Sequence, residues 1–232
     1  MTQVYRFPLI EGAAVVVDPS HIRHASLEYA SRVDEIWKKR DTKRLLFDSP
    51  IVSLVQYSSS SLIGELVDFR LWYACCKDPE LRPILDIHPL GVTGLTTWRG
   101  MVLVGKRSTT VSSYPGAMEC CPSGSVDGSS VGVDGSIDLE KAILLELVDE
   151  TGIRRDSVRS VRLKDLYLST HMGIFDVLAE IELNPEIDQP LSQPHSAEYD
   201  ELRWIQKDQV ASSFSECPWV PLSRFLLEGG RA

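Results

Sequence analysis

Glu146, Asp149 and Glu150 fall within five residues of one another in LEKAILLELVDETGI, the stretch from Leu139 to Ile153. On a helix, carboxylates four residues apart project from one side about one turn apart, and Asp149, three beyond Glu146, joins them. Exposed like charges at this spacing destabilise a helix by roughly 0.3 kcal/mol per pair. A hard divalent cation reverses the sign of that interaction, because Mg2+ takes an octahedral shell of oxygens and often bridges carboxylates to phosphates. The residues alone leave two readings open: a metal cluster that handles a phosphate compound, or a solvated acidic helix end.

The helix that would carry these acids has local start and stop signals. Asp138 is the expected N-cap, Ala142, Ile143, Leu147 and Thr151 form an apolar face, and Gly152 is placed to end the helix. Before it lies SGSVDGSSVGVDGS, Ser123 to Ser136, whose small residues predict a flexible loop. It contains neither GxxxxGK[ST] nor a GxGxxG after a strand, which excludes an ATPase phosphate loop and a dinucleotide fold. Its Asp127 and Asp134 either approach a metal or keep the loop wet. Further back, GVTGLTTWRGMVLVGKRS predicts a β-hairpin, Val92 to Thr97 and Met101 to Gly105, turned by Arg99-Gly100. Its exit carries Lys106 and Arg107, cations that suit an anionic substrate and equally suit a solvated strand end.

The N-terminal part is organised differently. Ala13 to Val17 reads as a short strand closed by Asp18-Pro19, and residues 25 to 40 as a helix with Leu27, Ala30, Val33, Ile36 and Trp37 on one face. Ile51 to Tyr57 and Leu62 to Leu71 read as two strands joined by a serine turn. Pro79, Pro83 and Pro89 argue against a long regular element after that. A boundary near residue 88 divides an extension, 1 to 88, from a domain spanning 89 to 232. Downstream, strands are expected around Ser160 to Leu168 and from Ile174 to Leu183, the latter with Asp176, Glu180 and Glu182 on its wetter face. Trp204 is expected to pack in the core, and a short helix to close the chain.

Composition bounds the function. The 232 residues, 43% hydrophobic and 25% charged, fit one well-packed α/β domain with an elaboration. The net charge of -9 works against a general nucleic-acid surface. Five cysteines, Cys75-Cys76, Cys120-Cys121 and Cys217, lack zinc-ligand spacing and read as reduced thiols of a cytoplasmic protein. No run of 18 apolar residues occurs, so no membrane span is expected. His88, His171 and His195 form no zinc or nucleophile-base pattern.

Residues 145 to 153, LELVDETGI, resemble the second half of the Nudix box: arginine, glutamate, an aliphatic, any residue, two glutamates, any residue, glycine, an aliphatic. Glu146 matches the first glutamate, Leu147 the aliphatic, Asp149 and Glu150 the acidic pair, Gly152 the glycine and Ile153 the closing aliphatic. CPSGSVDG, Cys121 to Gly128, looks like the proline-glycine segment that opens the box. Two positions depart from it: Leu145 stands where the family has arginine, and Ile137 where spacing puts an upstream glutamate.

The resemblance spans roughly residues 90 to 215 and looks most like the branch acting on nucleoside diphosphate sugars, including UDP-glucose diphosphatases. It implies a Nudix-like α/β/α sandwich around a mixed β-sheet with an N-terminal extension. The implied reaction is hydrolysis of a small-molecule diphosphate with Mg2+, or Mn2+ in its place, a UDP-sugar giving UMP and sugar 1-phosphate. Glu146, Asp149 and Glu150 would hold metal. Glu198 or Glu201 would act on the attacking water, with Glu198 preferred, and Lys106 and Arg107 would bind substrate. The alternative is a Nudix-fold module that binds a nucleotide or a protein without hydrolysing it. A homodimer is the expected assembly, cyclic pairs being the commonest.

Overall fold

A computed structural model describes residues 3–40, 49–188 and 194–229. In chain order the strands and helices are β1 (Val4–Phe7), β2 (Ala14–Arg23), α1 (Leu27–Lys38), β3 (Ile51–Tyr57), β4 (Ser61–Val67), α2 (Phe69–Lys77), α3 (Arg82–Leu85), β5 (Leu90–Trp98), β6 (Met101–Arg107), β7 (Met118–Cys120), β8 (Ser123–Ser125), α4 (Leu139–Thr151), β9 (Val158–Ser169), β10 (Ile174–Leu183), β11 (Tyr199–Gln206), α5 (Val210–Ser213) and α6 (Pro221–Leu227).

The larger sheet runs β1-β9-β10-β5-β6-β11, with β7 added to β6 and β8 to β5. It is mixed, because β10 lies parallel to β5 while its other pairings are antiparallel. Helices cover both faces of β10. Phe175, Val177, Ala179 and Ile181 pack in the core that holds Ile143 and Leu147 of α4, whereas Leu178 packs with Leu222 and Phe225 of α6. The result is an α/β architecture with helix layers on either side of a mixed sheet, as expected.

The second sheet, β2-β4-β3, belongs to the N-terminal part. Its Val15, Val17, Val52, Leu54, Leu62 and Leu66 enter the same core as the large sheet. Backbone bonds from Val52 N–H to the Val126 carbonyl and from Leu54 N–H to the His88 carbonyl, 2.9 and 2.8 Å, join the two parts. A separate core forms where Val33 of α1 packs with Phe69, Leu71 and Ala74 of α2.

The hairpin β5-β6, the 174–183 strand and the closing helix lie where the sequence predicts them. Two N-terminal readings need correction. Strand β2 does not stop at Asp18-Pro19 but continues to Arg23 across an irregularity between Val17 and Ile22, so the proline interrupts the ladder without ending it. The strand expected over residues 62 to 71 ends at Val67, and Phe69 to Leu71 turn into α2. Asp68 causes the switch: its carboxylate accepts from the Arg70 backbone N–H at 2.9 Å, satisfying a free amide of the first turn. The proline-rich region accordingly holds α2 and α3, since Pro79 falls between them and Pro83 in the first turn of α3, where a missing N–H costs nothing.

Helix α4 follows its sequence signals closely. Asp138 accepts from the Lys141 N–H at 2.9 Å, and Gly152 closes the helix at φ 68°, a left-handed conformation that a side chain disfavours. Asp138→Ala is therefore expected to lower unfolding free energy by about 1 kcal/mol in urea titrations, the usual cost of an N-cap.

Candidate active site

A cavity of about 450 Å³ opens between the end of α4, strand β8, the loop after β6 and the extension. Glu146 and Glu198 line it, as do Glu119 of β7 and Asp176 of β10. Glu150 lies behind Glu146 with 3% of its surface exposed.

Close backbone approach positions these acids. Gly124 of β8 lies so near Glu146 that a Cβ there would come within 2.3 Å of its Oε1. The Glu150 carboxylate accepts from the Ser123 backbone N–H at 3.2 Å and from the Cys121 thiol at 3.5 Å. These two donors sit beside Glu150 on the strand–loop segment, while Leu145 is 55% exposed on the opposite, solvent side of the helix. The segment bearing Glu198 is tied down by the His195 N–H on the Glu150 carbonyl, 2.9 Å, and the Ser108 N–H on the Glu198 carbonyl, 2.7 Å. Glu119 is buried and paired with Arg107, and the Tyr199 hydroxyl donates to it at 2.8 Å.

Electrostatics mark this cluster. Burial, then the charges of Glu198, Asp149 and Asp127, push the Glu146 carboxyl up to about 7. Burial, then Glu146, Glu119 and Glu198, hold the Glu150 carboxyl well above the usual carboxylate range. Burial also raises Glu198, with Arg107 opposing it. Asp176 is pushed to about 7 by burial, against a hydrogen bond from Thr93. Burial works against the Arg107 charge, but the Glu119 carboxylate more than offsets it and keeps its pKa above the usual value.

These shifts give stability a definite pH dependence. The native state holds a proton on Glu146 that the unfolded chain has released between about pH 4.5 and about pH 7. Its contribution is therefore complete below pH 4.5 and is lost as pH rises through 7. Asp176 acts in the same direction, from about 3.8 to about 7. The thermal midpoint in metal-free buffer is expected to fall between pH 5 and pH 8, and Glu146→Gln to flatten that slope; a rising midpoint would contradict these environments.

The structure sorts the residues that the sequence singled out. Glu146, Glu150 and Glu198 come together from α4 and the loop before β11. Asp149 is exposed on α4, outside the cavity lining, though near enough for its charge to act on Glu146. Lys106 and Glu201 face each other across β6 and β11 on the outer surface, and Glu201 pairs with Arg203 at 2.8 Å. Arg107 lines the cavity, with its guanidinium donating to Glu119 and to the Ser113 carbonyl at 2.9 Å. Segment 123–136 is not simply a loop, because β8 pairs with β5 and walls the cavity. Asp127 and Asp134 bond to Ser129 and Ser136 within their own turns.

Two acids were missed. Glu119 is a lone acid in the otherwise apolar MEC of β7, and that isolation is the available signal. Strand alternation puts Asp176 on a wet face with Glu180 and Glu182. Those two pair with Arg162 and Arg159 at the surface, whereas Asp176 lies at the end of β10 that the cavity covers.

The carboxylate oxygens of Glu119, Glu146, Glu150 and Glu198 are hard donors of the kind a divalent cation takes, and Arg107 is the one Lys or Arg among the described residues that line the cavity. Among the described residues, no three His, Cys, Asp or Glu side chains are grouped so that they could hold a metal ion.

No family model and no curated protein matches the chain. Solved structures do, and they include Nudix hydrolases. The Nudix hydrolase RenU from M. smegmatis is 18% identical, covering 61% of this chain and 81% of its own, with a TM-score of 0.40. The NUDIX domain of Shewanella oneidensis NrtR, solved with ADP ribose, is 15% identical, covering 62% and 86%, at 0.44. DR0079 from Deinococcus radiodurans is 17% identical, covering 60% and 81%, at 0.45. Among the described residues, no helix is long and apolar enough to cross a membrane.

Proposed function

We propose that the protein hydrolyses a nucleoside diphosphate-linked compound with the help of Mg2+, the best candidate being a UDP-sugar cleaved to UMP and sugar 1-phosphate. The observation that carries this reading is that Glu119, Glu146 and Glu198 line one cavity, with Glu150 buried close enough for the charges of all three to act on it, and that Glu146, Glu150 and Glu198 are all raised by burial. Such surplus buried charge is unfavourable unless something cationic enters. The resemblance of LELVDETGI to the Nudix box supports the same reaction.

Glu146 and Glu150, joined by Glu119, would hold the ion, which when bound supplies charge neutralisation of the phosphate oxygens and acidifies water. Glu198, raised by its burial yet bordering the cavity, would orient that water and take its proton. Arg107 would turn donors now given to Glu119 toward the second phosphate. Ser123 and Cys121 would keep Glu150 in place, the part that Leu145 cannot play. Asp149 lies outside the lining and would contribute through water or as a distant charge.

Incubating the purified protein with Mg2+ or Mn2+ and a panel of nucleoside diphosphate sugars, dinucleoside polyphosphates and prenyl diphosphates tests the proposal. Release of a monophosphate from one class is expected, and no turnover of any member would overturn it. The engagement of Glu119 by Arg107 favours a second reading, a module that binds nucleotide without hydrolysing it. Tight binding of an intact substrate without metal uptake would mark that outcome.

A further inference from the structure

Three other polar groups at the cavity stand out because their hydrogen bonding is incomplete. Trp72 comes from α2 of the extension, Tyr114 from the loop after β6, and Asp176 from β10, and all three line the cavity. The Trp72 indole N–H and the Tyr114 hydroxyl are sealed from water and have no hydrogen-bond partner among the described residues. Orphan buried groups of this kind are rare in native proteins, since each forfeits its hydration. Tyr114 also sits at φ 48°, a left-handed backbone that is uncommon for a bulky residue. Asp176, enclosed near Gly91, accepts one long bond, 3.3 Å from the Thr93 hydroxyl, where a carboxylate can accept about four.

The deficits are complementary in kind. Trp72 can only donate, an ionised Asp176 can only accept, and Tyr114 can do either. A hydroxyl satisfies all three, because it both donates and accepts. The Trp72 and Phe69 rings, centroids 5.5 Å apart, add apolar faces to the same wall, and such faces suit the C–H side of a sugar ring.

We propose that Trp72, Tyr114 and Asp176 form a subsite for a hydroxyl-bearing sugar ring, so that the N-terminal extension supplies substrate specificity to the large sheet's cavity. The inference rests on the diphosphate reading for the position of the phosphate half, but its test needs no turnover. Calorimetric titration compares glucose 1-phosphate, UMP and inorganic phosphate, each with and without Mg2+, on the full chain and on Trp72→Phe, Tyr114→Phe and Asp176→Asn. Tyr114→Phe and Asp176→Asn keep the shape of the side chain and remove an O–H or a carboxylate oxygen, whereas Trp72→Phe removes the N–H together with part of the indole ring.

Glucose 1-phosphate affinity is expected to fall by about 10-fold in each variant, while UMP and phosphate are unchanged. Tyr114→Phe is also expected to raise the thermal midpoint by ~3 °C, because an unsatisfied buried hydroxyl disappears. Loss of UMP affinity in place of glucose 1-phosphate affinity would overturn the sugar assignment in favour of the nucleoside half. Equal affinities for all variants, or glucose 1-phosphate binding no tighter than phosphate, would overturn the subsite altogether. A protein that shows this binding pattern yet hydrolyses nothing would sink the hydrolase reading and leave the subsite standing.

Discussion

Replacing Glu150 by glutamine is expected to lower diphosphate hydrolysis by at least ~100-fold, the scale of loss when a group that positions a reacting partner is removed. The folded protein should tolerate the change. Glu150 is 3% exposed, its ionisation is opposed by burial and by Glu146, Glu119 and Glu198, and its hydrogen bonds from Ser123 and Cys121 can pass to an amide oxygen. In metal-free buffer the glutamine form should therefore melt no lower than the parent, and slightly higher at alkaline pH, where the parent carries the most unfavourable charge. Steady-state turnover and a melting curve on the same sample separate loss of chemistry from loss of fold. Undiminished turnover in a folded variant would place the active site elsewhere.

Arg107→Met should produce the largest loss of stability, about 3–5 kcal/mol, because it removes one partner of a buried ion pair and strands the other. Arg107 and Glu119 side chains are 11% and 4% exposed, so water cannot take over. Urea unfolding of Arg107→Met, Glu119→Gln and the double variant gives the interaction energy. The double variant should recover most of the loss, since glutamine still accepts from the Tyr199 hydroxyl and no buried charge remains unpaired. A single variant as stable as the parent would contradict the buried ion pair. Under the proposed function, the same pair would let a cation at the end of a strand serve a phosphate site. Arg107 is held in position by an acid that a metal–diphosphate complex would compete for.

The sequence by itself determined helix α4. Its cap at Asp138, its buried Ile143, Leu147 and Thr151 and its stop at Gly152 are set within about four turns, by groups that touch their chain neighbours. Glu146 and Glu150 inherit their common side from that same local geometry, which is why they were legible. The hairpin β5-β6 was legible for a related reason, its Arg99-Gly100 turn fixing the pairing of the residues on either side.

Only the tertiary structure decided the rest of the site. Glu198 lies 52 residues from Glu146; its loop position favours it over Glu201 in the sequence, but only the packed chain lines the cavity with Glu198 and leaves Glu201 on the outer surface. Glu119 and Asp176 gain their meaning from being covered. In sequence each is an acid on a strand, and strand alternation sends an acid to solvent unless a distant helix or loop closes over that face. Trp72 is harder still to read, in a segment whose prolines argue against a long regular element, and α2 brings it to a cavity whose other walls lie up to about 150 residues away in the chain. Periodicity and capping are short-range and can be read from neighbouring letters. Burial is the property of a whole packed molecule, and here burial turns scattered acids into a site.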